Sequence, residues 1–148
     1  MKCINEMRLT FLSRSANESF ARVAAAAFVA QLDPTIDQIA DIKTAVSEAV
    51  TNCIVHAYRD CCGKIYMHIK LLPDNRVWIA IRDCGCGIAD VKQAMEPCYT
   101  SGPAEERSGM GFTVMGAFMD KLTVKSAPGK GTRVVMEKKL PPVGAQND

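Results

Sequence analysis

Two runs of alternating apolar and polar residues, joined by a tight turn, constrain the fold of this chain more than any other feature. Apolar side chains occupy every second position from Ile65 to Leu71 and again from Val77 to Ile81. Between the runs lies Pro73-Asp74-Asn75, a combination that favours a tight turn. The period of two predicts an antiparallel β-hairpin with one buried face.

Two helices are predicted before this hairpin. Ser15 or Asn17 can cap the first, which runs to about Leu32, and Asp33 or Thr35 can cap the second. The second helix has the clearer apolar period, set by Ile39, Ile42, Val46, Ala49, Val50, Cys53 and Ala57.

The remaining segments complete a two-layer fold. Strands are predicted at Met7–Phe11, Leu122–Val124 and Thr132–Met136, and helices at Val91–Met95 and Gly111–Met119. Helices and hairpins in this order predict an α/β two-layer sandwich, with a mostly antiparallel mixed sheet and helices on one face.

Length and composition indicate an ordinary globular chain. Its 148 residues predict one domain over residues 1–140, followed by a disordered tail at 141–148. The net charge of +2 gives no reason to expect a nucleic-acid or membrane partner. No secretory signal is visible, and the longest apolar run, Val23 to Ala30, is too short to span a bilayer, so we expect a cytoplasmic protein. The seven cysteines are an odd number with no common zinc spacing, which favours reduced thiols.

A polar stripe on the second helix is the first candidate site feature. Glu48 and Asn52 are four positions apart and share one helix face, away from Val46 and Val50. A solvated polar face gives the same pattern. If the stripe instead lines a pocket, Glu48 can act as a general base and Asn52 can offer its amide oxygen to Mg²⁺.

The second feature is the sequence Asp83-Cys84-Gly85-Cys86-Gly87. Asp83 has the strand parity of the buried positions before it, so its carboxylate points to the core side and needs a partner. The amino group of adenine is a suitable donor, whereas guanine presents an acceptor there. Gly85 and Gly87 allow a close backbone approach to such a ring. Taken alone, the motif more often marks a plain turn after a strand.

The third feature is a glycine turn that opens a helix. Backbone amides at Gly109, Met110 and Gly111 can bind phosphate, with Arg107 and Ser108 adding a charge and a hydroxyl. A flexible glycine linker is the alternative interpretation.

A fourth segment, Gly129-Lys130-Gly131-Thr132, lacks the spacing of a Walker A loop. It is either a hairpin turn or a place where the Thr132 hydroxyl supports Asp83, through a shared water if not directly.

The order of these four motifs resembles that of the GHKL (Bergerat-fold) ATPases. Glu48-x-x-x-Asn52 is similar to the N box of that family, and Asp83-x-Gly85-x-Gly87 to its first glycine box. Gly109-x-Gly111 is similar to the second glycine box, and Gly131-Thr132 to the last, threonine-bearing box. The resemblance implies a histidine-kinase-like ATPase fold.

Longer segments narrow the resemblance to the small anti-sigma serine kinases of sporulation, which have stress-response anti-sigma kinases as close relatives. The segments are 47–52, 56–58, 81–83 and 106–112, and the likeness extends from the first strand to about Lys138. It implies a homodimer that uses ATP and Mg²⁺, with ADP as product. It also implies two partners: an RNA polymerase sigma factor that is held inactive, and an anti-anti-sigma protein that is phosphorylated on serine.

Residue roles follow from this resemblance. Glu48 is the implied catalytic base, Asn52 the implied Mg²⁺ ligand, and Asp83 the implied adenine reader, backed by Thr132. Residues 99–108 resemble an ATP lid. The remaining implied positions are Thr100, Ser108, Gly109, Met110 and Gly111 for the nucleotide, Arg107 for its terminal phosphate, and Arg22 and Glu106 for partner proteins.

Other functions stay open. A nucleotide-gated sigma-binding module would need no base at Glu48, and mechanical GHKL ATPases are far larger. A histidine kinase needs a preceding phosphoacceptor helix, whereas His56 and His68 lie inside the domain. Cys84 and Cys86 depart from the family pattern and could make the site sensitive to oxidation.

Overall fold

One open sheet of five strands forms the base of the fold in the computed structural model, which describes residues 3–59, 61–88, 91–95 and 111–141. The strands are β1 (Asn5–Leu12), β2 (Lys64–Leu72), β3 (Arg76–Asp83), β4 (Lys121–Ser126) and β5 (Thr132–Lys139). They lie in the order β1-β2-β3-β5-β4, and each neighbouring pair is antiparallel. Within the described ranges, the sheet therefore lacks the parallel pair that a mixed sheet would contain.

Helices cover one face of this sheet, which confirms the predicted two-layer α/β sandwich. They are α1 (Ala16–Val29), α2 (Ile36–Asn52), α3 (Val91–Ala94) and α4 (Gly111–Phe118). A 3₁₀ turn, Ala30–Leu32, follows α1, and a π-helical turn, Cys53–Ala57, extends α2. One hydrophobic core joins the helices to the inner sheet face.

The start of α2 is fixed by a capping box. The Thr35 hydroxyl accepts a hydrogen bond of 3.1 Å from the Gln38 amide, and the Gln38 side chain accepts one of 2.8 Å from the Thr35 amide. These bonds satisfy two amides that a helix start leaves open. Thr35 is thus the cap, while Asp33 lies before it with φ of 52°. Ser15 occupies the cap position of α1 without a side-chain cap bond.

The predicted strand parity is confirmed by the sheet register. One inner row runs through Leu9, Met67, Ile81, Val134 and Val124. The adjacent outer row runs through Thr10, Tyr66, Arg82, Arg133 and Lys125. On the outer face, the Arg82 guanidinium lies 4.1 Å from the centre of the Tyr66 ring. The inner row is apolar because it meets the helices, and none of the described helices lies over the outer row.

Several sequence-based expectations fall outside the described residues. They concern the lid at 99–108, the second glycine box up to Met110, and all but the first residue of the tail predicted at 141–148. The domain boundary at residue 140 stays a prediction. Of the helices in the described part of the chain, none is long and apolar enough to cross a membrane.

Candidate active site

Asp83 ends β3 on the inner face of the sheet, with only 4% of its surface exposed. Its Oδ1 accepts hydrogen bonds from the backbone amides of Gly85, at 2.9 Å, and Thr132, at 3.2 Å. Burial raises the pKa of Asp83, against the lowering effect of these donors and of the nearby Arg82 charge. The carboxylate is thus desolvated but held in place by backbone amides from two parts of the chain.

Thr132 contacts Asp83 through its main chain. Its backbone amide contacts the carboxylate, while its hydroxyl lies 2.8 Å from Oγ of Ser126. Ser126 donates to the Gly131 carbonyl at 2.9 Å, so the Thr132 hydroxyl is the donor in the pair. A main-chain donor holds Asp83 more rigidly because it has no rotamer freedom.

Ser126 is a contributor that the sequence did not reveal. It ends β4, and its Oγ accepts a hydrogen bond of 2.7 Å from the Ile88 amide. It thereby joins the end of segment 84–88, called the first glycine turn, to the β4–β5 turn. A serine at a strand end has no distinctive sequence signal, so only its contacts identify this role.

The first glycine turn packs tightly against protein backbone on two sides. A Cβ at Gly85 would overlap the Ala57 carbonyl, and a Cβ at Gly87 would overlap the Ala127 carbonyl. Gly87 also has φ of +77°, which side chains disfavour. The amide of Cys86 donates to the Ala57 carbonyl at 3.2 Å. These contacts fix the turn between the end of α2 and the β4–β5 hairpin.

Tyr58 ties this turn to the sheet. Its hydroxyl donates a 2.7 Å hydrogen bond to the Lys64 carbonyl and accepts one of 2.6 Å from the Cys84 amide. The side chain is 7% exposed, and burial is the main cause that raises the pKa of Tyr58. The buried Tyr58 hydroxyl therefore connects Cys84, the residue after Asp83, to Lys64, the first residue of β2.

The polar stripe of α2 lies beside this cluster. Glu48 and Asn52 are both half-buried, and the π-helical turn that follows Asn52 contacts β3. The carboxyl-terminal end of α2 therefore meets the end of β3. The predicted Asn52 and Asp83 positions are brought to the same end of the sheet.

Glu48 and Arg22 line one depression of about 350 Å³ between α1 and α2. Its other lining residues are Ala40, Lys43, Thr44 and Ser47. Glu18 braces this region, because its Oε2 lies 3.4 Å from the Arg22 guanidinium and its Oε1 accepts a 2.9 Å hydrogen bond from Ser47. Glu48, the implied base, and Arg22, the implied partner-binding residue, thus line the same depression.

Mg²⁺ binding at this site would depend on oxygen ligands. Among the residues that the structure describes, no three His, Cys, Asp or Glu side chains form a group that could hold a metal ion. Mg²⁺ usually takes one or two protein oxygens and completes its shell with phosphates and water. The amide oxygen of Asn52 fits that pattern. Thr100, Glu106, Arg107, Ser108, Gly109 and Met110 lie outside the described residues, and Gly111 is buried at the start of α4.

Comparison with known proteins assigns the fold. The family model described as "Histidine kinase-like ATPase domain" matches residues 11–138. The RsbU and RsbW domains of a Mycobacterium tuberculosis protein align with a TM-score of 0.66 and 21% identity, over 92% of this chain and 32% of that one. The histidine kinase domain of a blue-light activated kinase from Erythrobacter litoralis aligns with a TM-score of 0.57 and 18% identity, over 83% of this chain and 64% of that one. The fold is that of a histidine kinase-like ATPase domain.

Closer relatives are anti-sigma F factors. That of Caldanaerobacter subterraneus is 60% identical over 93% of this chain and 96% of its own length. Those of Clostridium novyi and Pasteuria penetrans are 57% and 53% identical, each over 92% of this chain and over 95% and 91% of their own lengths. The chain belongs to the histidine kinase-like ATPase family, within the group of anti-sigma F factors.

Proposed function

We propose that this protein is an ATP-dependent protein serine kinase that also binds and inhibits an RNA polymerase sigma factor. The single observation that best supports nucleotide binding is the buried, partly satisfied carboxylate of Asp83. The names of the close relatives support the anti-sigma role.

Adenine recognition follows from the free acceptor capacity of Asp83. A carboxylate offers about four acceptor sites. Two backbone amides fill two of them. The open acceptor sites suit the exocyclic amino group of adenine. The carbonyl group of guanine would face the carboxylate without a proton to share, which disfavours GTP.

The polar end of α2 would hold the phosphates and their metal. When bound, Mg·ATP supplies the electrophilic phosphoryl group and the cation that neutralises its charge. Asn52 would hold Mg²⁺ through its amide oxygen. The proposed roles of Arg107 and of the amides from Gly109 to Gly111 rest on the family resemblance alone.

Glu48 would act as the general base of the transfer. Its carboxylate would accept the proton of the substrate serine hydroxyl as that oxygen becomes the nucleophile. The depression that it shares with Arg22 gives a protein substrate access to this carboxylate. We propose an anti-anti-sigma protein as the substrate, with Arg22 and Glu106 as docking residues for partner proteins.

Assembly is part of the proposal. We propose that the protein forms a homodimer, as the family resemblance implies. We propose Met7–Leu12 as the dimer surface, because these residues fall within β1, which is an edge strand of the sheet. An edge strand has unpaired backbone groups that a second chain can bind.

A non-catalytic, nucleotide-gated sigma-binding module is the second candidate, and a stress-response anti-sigma kinase is the third. One experiment separates them. The full chain is incubated with γ-labelled ATP, Mg²⁺ and purified anti-anti-sigma proteins of the sporulation and stress-response types. Phosphoserine on the sporulation-type protein is the expected result. Label on the stress-type protein alone favours the third candidate. Nucleotide-dependent sigma-factor complexes without any labelled serine would overturn the kinase proposal.

A further inference from the structure

Three cationic side chains face one another across neighbouring strands on the outer face of the sheet. Arg82 of β3 pairs directly with Arg133 of β5, and Arg133 pairs directly with Lys125 of β4. Side chains at directly opposed positions of an antiparallel pair lie about 5 Å apart, and like charges placed there destabilise the sheet. Sheet stability therefore gives no reason for this arrangement, which we call the cationic row.

The carboxylates on the described strands of this face pair with other cations. Glu137 forms ion pairs with Arg76, at 2.9 Å, and with Lys121, at 3.9 Å. Glu6, on the edge strand, lies 2.9 Å from the His68 ring. Among the residues that the structure describes, the three cations of the row form no ion pair with a carboxylate. Their positive charge is therefore not neutralised within the described fold.

Two aromatic rings hold cationic groups of this face in place. The Arg82 guanidinium lies 4.1 Å from the centre of the Tyr66 ring, and Lys70 Nζ lies 4.7 Å from the centre of the Trp78 ring. The Arg133 guanidinium lies 5.6 Å from the same Trp78 ring. Such cation–π contacts order a side chain without removing its charge. The surface therefore presents positive charges in ordered positions beside two half-buried rings.

The chemistry of this surface selects an anion and favours a carboxylate-bearing protein segment. Guanidinium groups bind carboxylates and phosphates through paired hydrogen bonds. A single-stranded nucleic acid also uses aromatic ring faces, on which its bases stack. Here cations already lie over both rings, so the rings are poor platforms for bases. An acidic peptide needs only the charges, which complement its own.

We propose that the outer sheet face around the cationic row is a docking surface for an acidic segment of a partner protein. The depression lined by Arg22 and Glu48 lies between α1 and α2, which pack on the opposite face of the sheet. A segment bound to the cationic row therefore leaves that depression accessible. This docking surface goes beyond the proposed function and does not depend on it.

The test uses Trp78, the only tryptophan of the chain, whose fluorescence reports binding at this face. The full chain, without nucleotide, is titrated with a labelled deca-glutamate peptide and, separately, with a labelled single-stranded DNA of ten thymidines. Anisotropy of the label gives the affinity, and Trp78 fluorescence gives the location. The forms compared are the unmodified chain, Arg133→Glu and the control Arg14→Glu. Arg14 is an exposed cation between β1 and α1, so its reversal changes the net charge equally.

We expect deca-glutamate to change the Trp78 fluorescence and to bind the unmodified chain more tightly than the DNA does. Arg133→Glu should weaken peptide binding about tenfold or more, because an attraction becomes a repulsion between like charges. Arg14→Glu should change it less than about twofold in about 0.1 M salt, where charges more than about 10 Å apart are largely screened.

Three results would count against the docking surface. Equal losses in Arg133→Glu and Arg14→Glu would overturn it, because they would reflect net charge alone. Absence of peptide binding to the unmodified chain would overturn it too. Tighter binding of the DNA, with a change in Trp78 fluorescence, would assign the face to nucleic acid instead. Urea unfolding checks that each form is folded; if Arg133→Glu is not, Lys125→Glu reverses the neighbouring charge of the row and gives the same comparison.

Discussion

The backbone amide of Thr132 donates a 3.2 Å hydrogen bond to Oδ1 of Asp83, although 49 positions separate the two residues. This bond joins the first residue of β5 to the last residue of β3, at the centre of the sheet. The candidate adenine reader is therefore held by the hairpin that ends the fold. Changes at that hairpin should reach the nucleotide site.

Asp83→Asn should weaken ATP binding strongly without unfolding the protein. The side-chain oxygen of asparagine can still accept the Gly85 and Thr132 amides, but its amino group would face the adenine amino group. We expect a loss of about 2 kcal/mol, or about thirtyfold in affinity, by calorimetry. Asp74→Asn, an exposed change in the hairpin turn, is the control. Equal affinities in the two variants would remove Asp83 from adenine recognition.

The pH dependence of stability should differ between the unmodified chain and Asp83→Asn. Burial raises the pKa of Asp83 above its usual value of 3.8, so the folded state binds this proton more tightly than the unfolded state. The stability contribution of this group therefore falls as pH rises from about 3.8 and levels off above the raised pKa. Denaturant unfolding of both forms at a series of pH values measures the difference. A difference that stays flat across this window would contradict the buried environment of the carboxylate.

ATP affinity should show the opposite trend in the same window. Only the ionised carboxylate can accept a hydrogen bond from the adenine amino group at either oxygen, so binding should strengthen as Asp83 ionises. Calorimetric titrations at each pH, with Asp83→Asn as the reference, measure this trend. Affinity that rises equally in both forms would assign the trend to another group.

Gly131→Ala should destabilise the protein more than Gly129→Ala. Both glycines have positive φ, +82° and +75°, so the conformational cost is matched. A Cβ at Gly131 would overlap the Asp83 carbonyl, whereas a Cβ at Gly129 meets no atom within 4 Å. We expect about 2–4 kcal/mol for Gly131→Ala and about 1 kcal/mol for Gly129→Ala in the free energy of unfolding. Similar costs would show that the clash is relieved by small backbone shifts.

Tyr58→Phe should lower both stability and ATP affinity. The change removes the partner of the Cys84 amide and of the Lys64 carbonyl, at a cost of about 1–3 kcal/mol. The glycine turn would then be held less firmly. Tyr66→Phe is the matched control, because Tyr66 contacts Arg82 on the outer face. Urea unfolding measures the loss of stability, and calorimetry measures the loss of ATP affinity. Equal losses in the two variants would show that the Tyr58 hydroxyl does not hold the glycine turn.

Glu48→Gln should abolish most phosphotransfer while ATP binding is retained. Loss of a general base typically lowers the rate about a hundredfold to ten-thousandfold. Asp37→Asn removes the same charge from the exposed first turn of α2 and is the control. Labelled phosphate on the substrate serine measures the rate. A normal rate in Glu48→Gln would exclude this carboxylate as the base.

Much of the fold could be predicted because its signals are local. The alternation from Ile65 to Leu71 fixes the inner face of β2 and, by parity, the inward direction of Asp83. The capping box at Thr35 uses residues three positions apart. Strand order is not local: β5 lies between β3 and β4, and no residue of β5 by itself specifies that pairing. The expected mixed character of the sheet was therefore not borne out for the described strands.

The sequence by itself determined the periods, the motif order and the family, because each depends on neighbours along the chain or on residue types at fixed spacings. Tertiary structure alone decided which atoms contact Asp83. It placed the backbone amide of Thr132 on the carboxylate, and it added the linking hydroxyls of Tyr58 and Ser126. These contacts join segments that are far apart in sequence, and they form only when the core packs α2 against β3 and brings the β4–β5 turn to the glycine turn.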